Sequence, residues 1–293
     1  MDWRTWVDEA LVDVITASTH QPTEQEADLA PFVDHCQDTG TLVCFCLEPT
    51  PCVPHVAYDR SMIHIHGGTP TGLSTENYRS MALGAYQQGA DGVYFFNTHF
   101  TFERFDTHPN LEFLTEMHDR ELMAGRDQTY VVSRQPPRYS HDWFFECAPP
   151  RPLPKDVTRE EPEYSFIITV GADLQEPAGS GRLRAAKLRL CLAQVTPPDE
   201  IEVLWNGETL KGQFNPPLLP GTWQHWYAIH FWIADLVEQD RVPNAGTHTI
   251  TVRLKHRNPE IGEGILIHSA EFDVRFWHRP GTPHAVNELP GMF

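Results

Sequence analysis

The chain has 293 residues and a formal net charge of −18 at pH 7, with 40% hydrophobic and 21% charged residues. This composition is typical of a folded globular protein and excludes an intrinsically disordered one. The acidic charge argues against nucleic acid as a partner, because binding a phosphate backbone requires a basic surface.

The first part of the chain predicts an alternation of helices and strands. A short helix is followed by an apolar run at residues 11–17. Apolar positions spaced i, i+3, i+4 and i+7 over residues 29–36 predict a second helix, and residues 41–47 are apolar enough for a strand buried on both faces. A third helix at residues 75–89 precedes a third strand at residues 92–97. Such repeated units predict a parallel sheet with right-handed crossovers.

The pattern changes near Tyr164, where short strands with alternating polarity begin. Asn206-Gly207 predicts a two-residue hairpin turn. The predicted strands are 164–170, 188–195, 201–205, 223–230, 247–254 and 265–276. Together they predict an antiparallel β-sandwich or jelly roll. We therefore expect an α/β domain at residues 1–133, a proline-rich linker at 134–163 and a β-sandwich at 164–293.

Three segments of the first half resemble a known family. WVDEALVDVITAST, TLVCFCLEP and ENYRSMALGAYQQGADGVYFFN are similar to the C-terminal half of bacterial glycoside-hydrolase-like (β/α)8 barrels, the family-10-like group, which often end in a β-sandwich. The resemblance implies a partial TIM-type barrel of about strands six to eight. A closed barrel needs about 250 residues, so we expect this chain to be a fragment. The alternative is a small three-stranded domain that is complete in itself.

Candidate site residues follow from the strand ends, where parallel α/β folds place their active sites. Glu48 directly follows the second apolar strand, and the resemblance implies that it is a glycosidase nucleophile at the end of strand seven. A structural carboxylate that accepts hydrogen bonds from loop amides is the alternative. The remaining predicted residues bind substrate hydroxyls: His20, Tyr58, Asp59, Asn97 and His99. The last two follow the third strand, and the loop at 49–73 is long enough to be functional.

Two functions are compatible with this sequence. One is a glycoside hydrolase acting on O-glycosidic bonds of a carbohydrate; the other is a non-catalytic module that binds carbohydrate or protein and retains a remnant barrel. Glycosidases need two carboxyl groups, and the resemblance places the second on a strand that this chain lacks. We therefore expect negligible hydrolase activity from the isolated chain.

The sequence also bears on membranes, cofactors, metals and association with other chains. No stretch of 18 apolar residues occurs, so no membrane-spanning helix is expected. No signal peptide is recognisable, which indicates a cytoplasmic protein if this N-terminus is genuine. We expect no cofactor and no metal, because His64-x-His66 is more typical of a polar loop than of a ligand pair. The open barrel edge offers a surface for association.

Cysteine and tryptophan residues complete the sequence-based expectations. We predict that all six cysteines are unpaired, since Cys44 and Cys46 share one face of a strand, where disulfide geometry is poor. Four tryptophans of the second half suit core packing better than stacking on sugars, although Trp226 or Trp232 could face the surface. They are Trp205, Trp223, Trp226 and Trp232.

Overall fold

The first sheet is built from three parallel strands. The computed structural model describes residues 2–18, 27–47, 75–96, 114–133, 152–215 and 229–277. Within the first three of these ranges, helices and strands alternate: α1 (Trp3–Asp8), β1 (Val14–Ala17), α2 (Ala30–Cys36), β2 (Leu42–Leu47), α3 (Thr75–Gln87) and β3 (Gly92–Phe95). The strands pair in the order β1-β2-β3, with Val14 opposite Leu42 and Cys44 opposite Gly92.

The two faces of this sheet differ in burial. Val43, Phe45 and Leu47 alternate along β2 and are buried, as expected for the face that helices cover. The opposite face exposes Leu42 and Tyr94, which keep 49% and 50% of their surface. One face of the parallel sheet is therefore packed, and the other presents apolar side chains to the surface.

All the remaining described strands belong to two antiparallel sheets. The six-stranded sheet has the order β10-β11-β7-β13-β4, with β5 also paired to β13, and the four-stranded sheet has the order β6-β12-β8-β9. Two short helices, α4 (Arg120–Ala124) and α5 (Gln175–Gly179), complete the described elements. The strands are β4 (Gln128–Ser133), β5 (Lys155–Val157), β6 (Glu163–Val170), β7 (Leu183–Ala193), β8 (Glu200–Trp205), β9 (Glu208–Leu210), β10 (Gln213–Asn215), β11 (Ile229–Asp235), β12 (Gly246–His256) and β13 (Ile265–Phe276).

The two antiparallel sheets pack against each other through alternating apolar side chains. Leu188, Leu190 and Leu192 of β7 are fully buried, as the two-residue period of a strand requires for one face. Trp205 of β8 lies against Phe272 of β13, with ring centroids 5.5 Å apart, and so joins the two sheets. These contacts define a sandwich with its core between the sheets.

Helix α3 connects the parallel sheet to the sandwich. Its residues from 80 to 86 are all buried, as expected for a helix enclosed on several sides. The side chains of Asn77 and Ser80 donate hydrogen bonds to the carbonyl oxygen of Thr129 in β4, at 3.0 and 2.6 Å. Gly171, directly after β6, lies so close to the helix that a Cβ atom there would be 2.3 Å from the carbonyl carbon of Leu83.

The predicted partial (β/α)8 barrel of the TIM type is wrong. β4, the strand that follows β3 among the described residues, does not extend the parallel sheet; it pairs antiparallel with β13. Antiparallel sheets hold most of the strands, and no sheet in the described ranges closes into a barrel. The first three strands do pair in parallel, but a run of helix–strand units does not determine how many such units a fold contains.

The tryptophan and cysteine expectations have mixed outcomes. Trp232 and Trp205 are buried at 4% and 3% exposure, so both pack in the core, which is the favoured alternative, and the surface position left open for Trp232 is wrong. Cys36, Cys44, Cys46 and Cys191 are free thiols. Trp223, Trp226, Cys52 and Cys147 lie outside the described ranges. The proposed domain boundaries at 133 and 164 stay a prediction.

Candidate functional site

All residues that the sequence predicts for the site lie outside the ranges that the structure describes. The strand ends that precede three of them are described, because β1, β2 and β3 run parallel and finish at one edge of their sheet. β2 finishes at Leu47, which is fully buried, immediately before Glu48 in the sequence. The undescribed site residues are His20, Glu48, Tyr58, Asp59, Asn97 and His99.

A different group of polar residues stands out on the outward side of the six-stranded sheet. These residues alternate with the core-facing residues of β7 and β13, so their side chains leave the same face of the sheet. Arg189 lies opposite Glu271, and Cys191 lies opposite Ser269. We call this surface the β7–β13 face, and it consists of Arg189, Cys191, Ser269, Glu271, Asp273 and Arg275.

Charged side chains on this face are cross-linked. The Arg189 guanidinium contacts two carboxylates, with its Nη1 2.7 Å from Glu271 Oε2 and its Nη2 3.1 Å from Asp273 Oδ2. Arg275 Nη2 donates to the other oxygen of Asp273, Oδ1, at 3.2 Å. The Thr129 hydroxyl of the neighbouring β4 donates to the same Oδ1 at 2.8 Å. The network therefore spans three adjacent strands.

Burial affects the titration of two groups on this face. The Glu271 side chain keeps 18% exposure. Burial, followed by the nearby Asp273, raises its carboxyl pKa, although Arg189 and Arg275 act in the opposite direction. Burial also raises the pKa of the Cys191 thiol to about 12. Cys191 is therefore protonated at neutral pH and is not a reactive thiolate.

Two buried polar atoms on the β7–β13 face are poorly satisfied. Within the described ranges, Arg275 Nη1 is buried without a hydrogen-bond partner, and buried Ser269 Oγ has only a weak interaction with the Cys191 thiol. Across the sheet, Ser269 faces the Cys191 thiol, which is only a weak hydrogen-bonding group. Phe231 of β11 lies opposite Cys191 on the other side, and the Arg189 guanidinium carbon is 5.9 Å from its ring centroid. The face thus combines poorly satisfied polar atoms with an aromatic ring.

A second charged cluster, around Asp199 and Arg257, is saturated with hydrogen bonds. Arg257 Nη1 lies 2.6 Å from Asp199 Oδ2, and both side chains are almost completely buried. Asp199 also accepts from the backbone N–H of Thr196 and of Asn258. Arg257 donates to three backbone carbonyls, those of Gln194, Glu263 and Gly264. Because these bonds occupy most of the donors and acceptors of both side chains, we assign this cluster to the stability of the loops it joins.

Metal and membrane sites are not found in the described part of the chain. There, no group of three or more His, Cys, Asp or Glu residues is arranged to hold a metal ion. None of the described helices has the length and apolar character needed to span a bilayer.

A weak sequence signal for the β7–β13 face exists. Lys187-Leu-Arg189-Leu-Cys191 and Glu271-Phe-Asp273-Val-Arg275 both alternate polar and apolar residues, which indicates strands with one polar face. The two segments lie side by side because of the strand order in the sheet, and no local sequence pattern predicts that order.

Comparisons with known proteins do not identify a family. No family model matches the chain, and no curated protein matches it. Among solved structures, the catalytic unit of a thermostable GH87 alpha-1,3-glucanase from Streptomyces thermodiastaticus strain HF3-3 is similar over 42% of this chain, at 16% identity and a TM-score of 0.23. The match covers 20% of that structure, and a similarity of this extent carries no argument about function.

Proposed function

We propose that this protein binds a carbohydrate on the β7–β13 face of its sandwich. The observation that carries the proposal is a row of fixed charged side chains that stay partly exposed: Arg189, Glu271 and Arg275 keep 33%, 18% and 25% of their side-chain surface. Sugar hydroxyls both donate and accept hydrogen bonds. They suit a surface on which guanidinium donors and carboxylate acceptors alternate.

Preorganisation supports the same proposal. Arg189 is held by both Glu271 and Asp273, so little conformational entropy is lost when a ligand contacts it. Phe231 at the border of the face offers an apolar ring against which the C–H surface of a sugar can pack. A neutral sugar also avoids the repulsion that an anionic ligand would meet from a chain of net charge −18.

The test is a binding experiment with two face variants and a matched control. Isothermal titration with soluble polysaccharides (β-glucan, α-glucan, xylan, mannan) identifies the ligand class. We expect Arg275→Gln and Glu271→Gln to weaken binding about tenfold or more, since a hydrogen bond to a charged group contributes roughly 1.5–3 kcal/mol.

The control is Glu202→Gln. Glu202 pairs with Arg253 at 2.7 Å on the outer side of the other sheet, and we expect this variant to bind like the wild-type chain. Equal losses in all three variants, or no binding of any polysaccharide by the wild-type chain, would contradict the proposal.

Hydrolysis of O-glycosidic bonds is the second candidate, and it rests on Glu48. The buried end of β2 at Leu47 precedes a carboxylate in the sequence, which is where parallel sheets place catalytic residues. The test is release of reducing sugar from the same polysaccharides. Turnover that is lost in Glu48→Gln and kept in Glu202→Gln would support a hydrolase, whereas turnover unaffected by Glu48→Gln would exclude this role for Glu48.

A further inference from the structure

His230 of β11 is a buried histidine whose ring has no hydrogen-bond partner among the residues that the structure describes. Its side chain is on the core side of the six-stranded sheet, opposite Leu192 of β7, and the residue is 2% exposed. Both ring nitrogens, Nδ1 and Nε2, are buried without a partner. An imidazole normally uses at least one nitrogen in a hydrogen bond when it is buried.

The described neighbours of His230 within its sheet are apolar. The Phe214 ring of β10 meets the imidazole edge-on, with centroids 6.3 Å apart. In the same row across the sheet, Leu192 and Ile267 separate His230 from Lys155 of β5, whose side chain is 42% exposed and paired with Glu161. The other titratable side chains on core-facing positions of the described strands are Tyr130, Tyr164, His248 and Glu208; Glu208 lies opposite Trp205, is exposed and pairs with Arg241.

His248 in the opposite sheet is a buried histidine for comparison, and both of its ring nitrogens have hydrogen-bond partners. Its Nδ1 lies 3.0 Å from Asn206 Nδ2, and its Nε2 lies 2.9 Å from the carbonyl oxygen of Asn244. Its ring also stacks on Trp205 at 5.0 Å. In both histidines burial lowers the pKa below its ordinary value of 6.5, but only His248 has a partner that opposes this shift.

We propose that His230 is an acid-sensitive latch, so that its protonation opens the β10–β11 edge of the six-stranded sheet. A charged imidazole in an apolar core without a partner is strongly unfavourable, so the charged form needs water. β10 is the simplest element to displace, because it has three residues and, among the described strands, pairs with β11 alone. This inference does not depend on the proposed carbohydrate binding.

The direction of the pH effect follows from linkage. In the open form His230 titrates near its ordinary pKa of 6.5, whereas in the closed form its pKa is lower. The closed form is therefore fully favoured above about pH 7.5. As the pH falls below 6.5, the open population rises by up to about tenfold per pH unit, until the pKa of the closed form is reached.

Hydrogen–deuterium exchange at pH 7.5, 6.5, 5.5 and 5.0, corrected for intrinsic rates, tests the latch. In the wild-type chain we expect opening of peptides that cover β10 and β11 to increase as the pH falls, while peptides covering β6 stay protected. His230→Phe and His230→Leu remove the charge and should abolish the pH dependence. His256→Gln, which changes an exposed histidine, should retain it.

Acid-dependent opening that persists in both His230 variants would overturn the proposal, as would its absence in the wild-type chain. If neither variant folds, NMR titration of the His230 ring in the wild-type chain decides. A pKa well below 6.5 is the expected result, and a value of 6.5 or higher contradicts the latch.

Discussion

Asp199 is the residue on which the loop network of the sandwich depends. Its two carboxylate oxygens accept from Arg257 Nη1 at 2.6 Å and from the Asn258 N–H at 2.7 Å, and its side chain is completely buried. Removing one member of a buried ion pair leaves the other charge without compensation, which costs far more than the pair contributes.

We therefore expect Asp199→Ala to lower the free energy of unfolding by about 3–5 kcal/mol. Urea denaturation at pH 7 measures the change. The control is Glu202→Ala, which breaks surface pairs with Arg253 and Lys255 and should leave the free energy of unfolding nearly unchanged, because exposed ion pairs contribute little. Equal losses of unfolding free energy in the two variants would show that the Asp199 network contributes no more than a surface ion pair.

At the scale of single residues, the sequence identifies a candidate functional residue only where a short local pattern determines its position. Glu48 is a candidate catalytic residue because it follows an apolar run, and the end of a strand can be predicted from such a local pattern. The role of Asp273 depends on Arg189, Arg275 and Thr129, which three different strands bring together. No local pattern contains the order of those strands, so the β7–β13 face appears only in the folded structure.

At the scale of elements, the packing of α3 against β6 depends on a glycine. A Cβ atom on Gly171 would lie 2.3 Å from the carbonyl carbon of Leu83 and 2.6 Å from the backbone nitrogen of Gly84. These are backbone atoms, so the helix itself must move to make room.

We expect Gly171→Ala to destabilise the protein by about 1–3 kcal/mol, the usual range for overpacking. Gly84→Ala is the matched control on the helix side. A Cβ atom there meets nothing within 4 Å, so higher helix propensity should leave stability unchanged or raise it by about 0.5–1 kcal/mol. Thermal denaturation distinguishes the two variants, and an unchanged midpoint for Gly171→Ala would contradict the close packing.

The positions of these strands can be predicted from the sequence, but the pairing of the strands into sheets cannot. The apolar run of β2 and the alternating pattern of β12 both correspond to strands in the structure. The TIM-type barrel that the family resemblance implies is wrong, because β4 pairs with β13, which is 144 residues away at Thr129 and Asp273. Such long-range pairing depends on the packing of the whole chain.

At the scale of the whole molecule, one hydrophobic core runs from the parallel sheet into the sandwich. Trp3 of α1, Leu83 of α3 and Trp205 of β8 all belong to the same buried cluster. α3 contributes to both parts, so loss of either part would expose apolar surface on the helix.

We therefore predict that the parallel sheet and the sandwich unfold together. With 5-fluorotryptophan incorporated, the ¹⁹F signals of Trp3 and Trp205 report on the two parts separately. The signals should change at the same urea concentration, as expected for a single cooperative unit. Two separated transitions would show instead that each part is stable without the other.

Carbohydrate binding on the β7–β13 face is the central claim, and NMR mapping tests it most directly. A uniformly ¹⁵N-labelled chain is titrated with the polysaccharide fragments that bind best in calorimetry. We expect saturable chemical-shift changes that are concentrated on the β7–β13 face, at Arg189, Ser269, Glu271 and Arg275. These changes should disappear in Arg275→Gln. Shift changes centred on the four-stranded sheet, or at the strand ends of the parallel sheet, would contradict it.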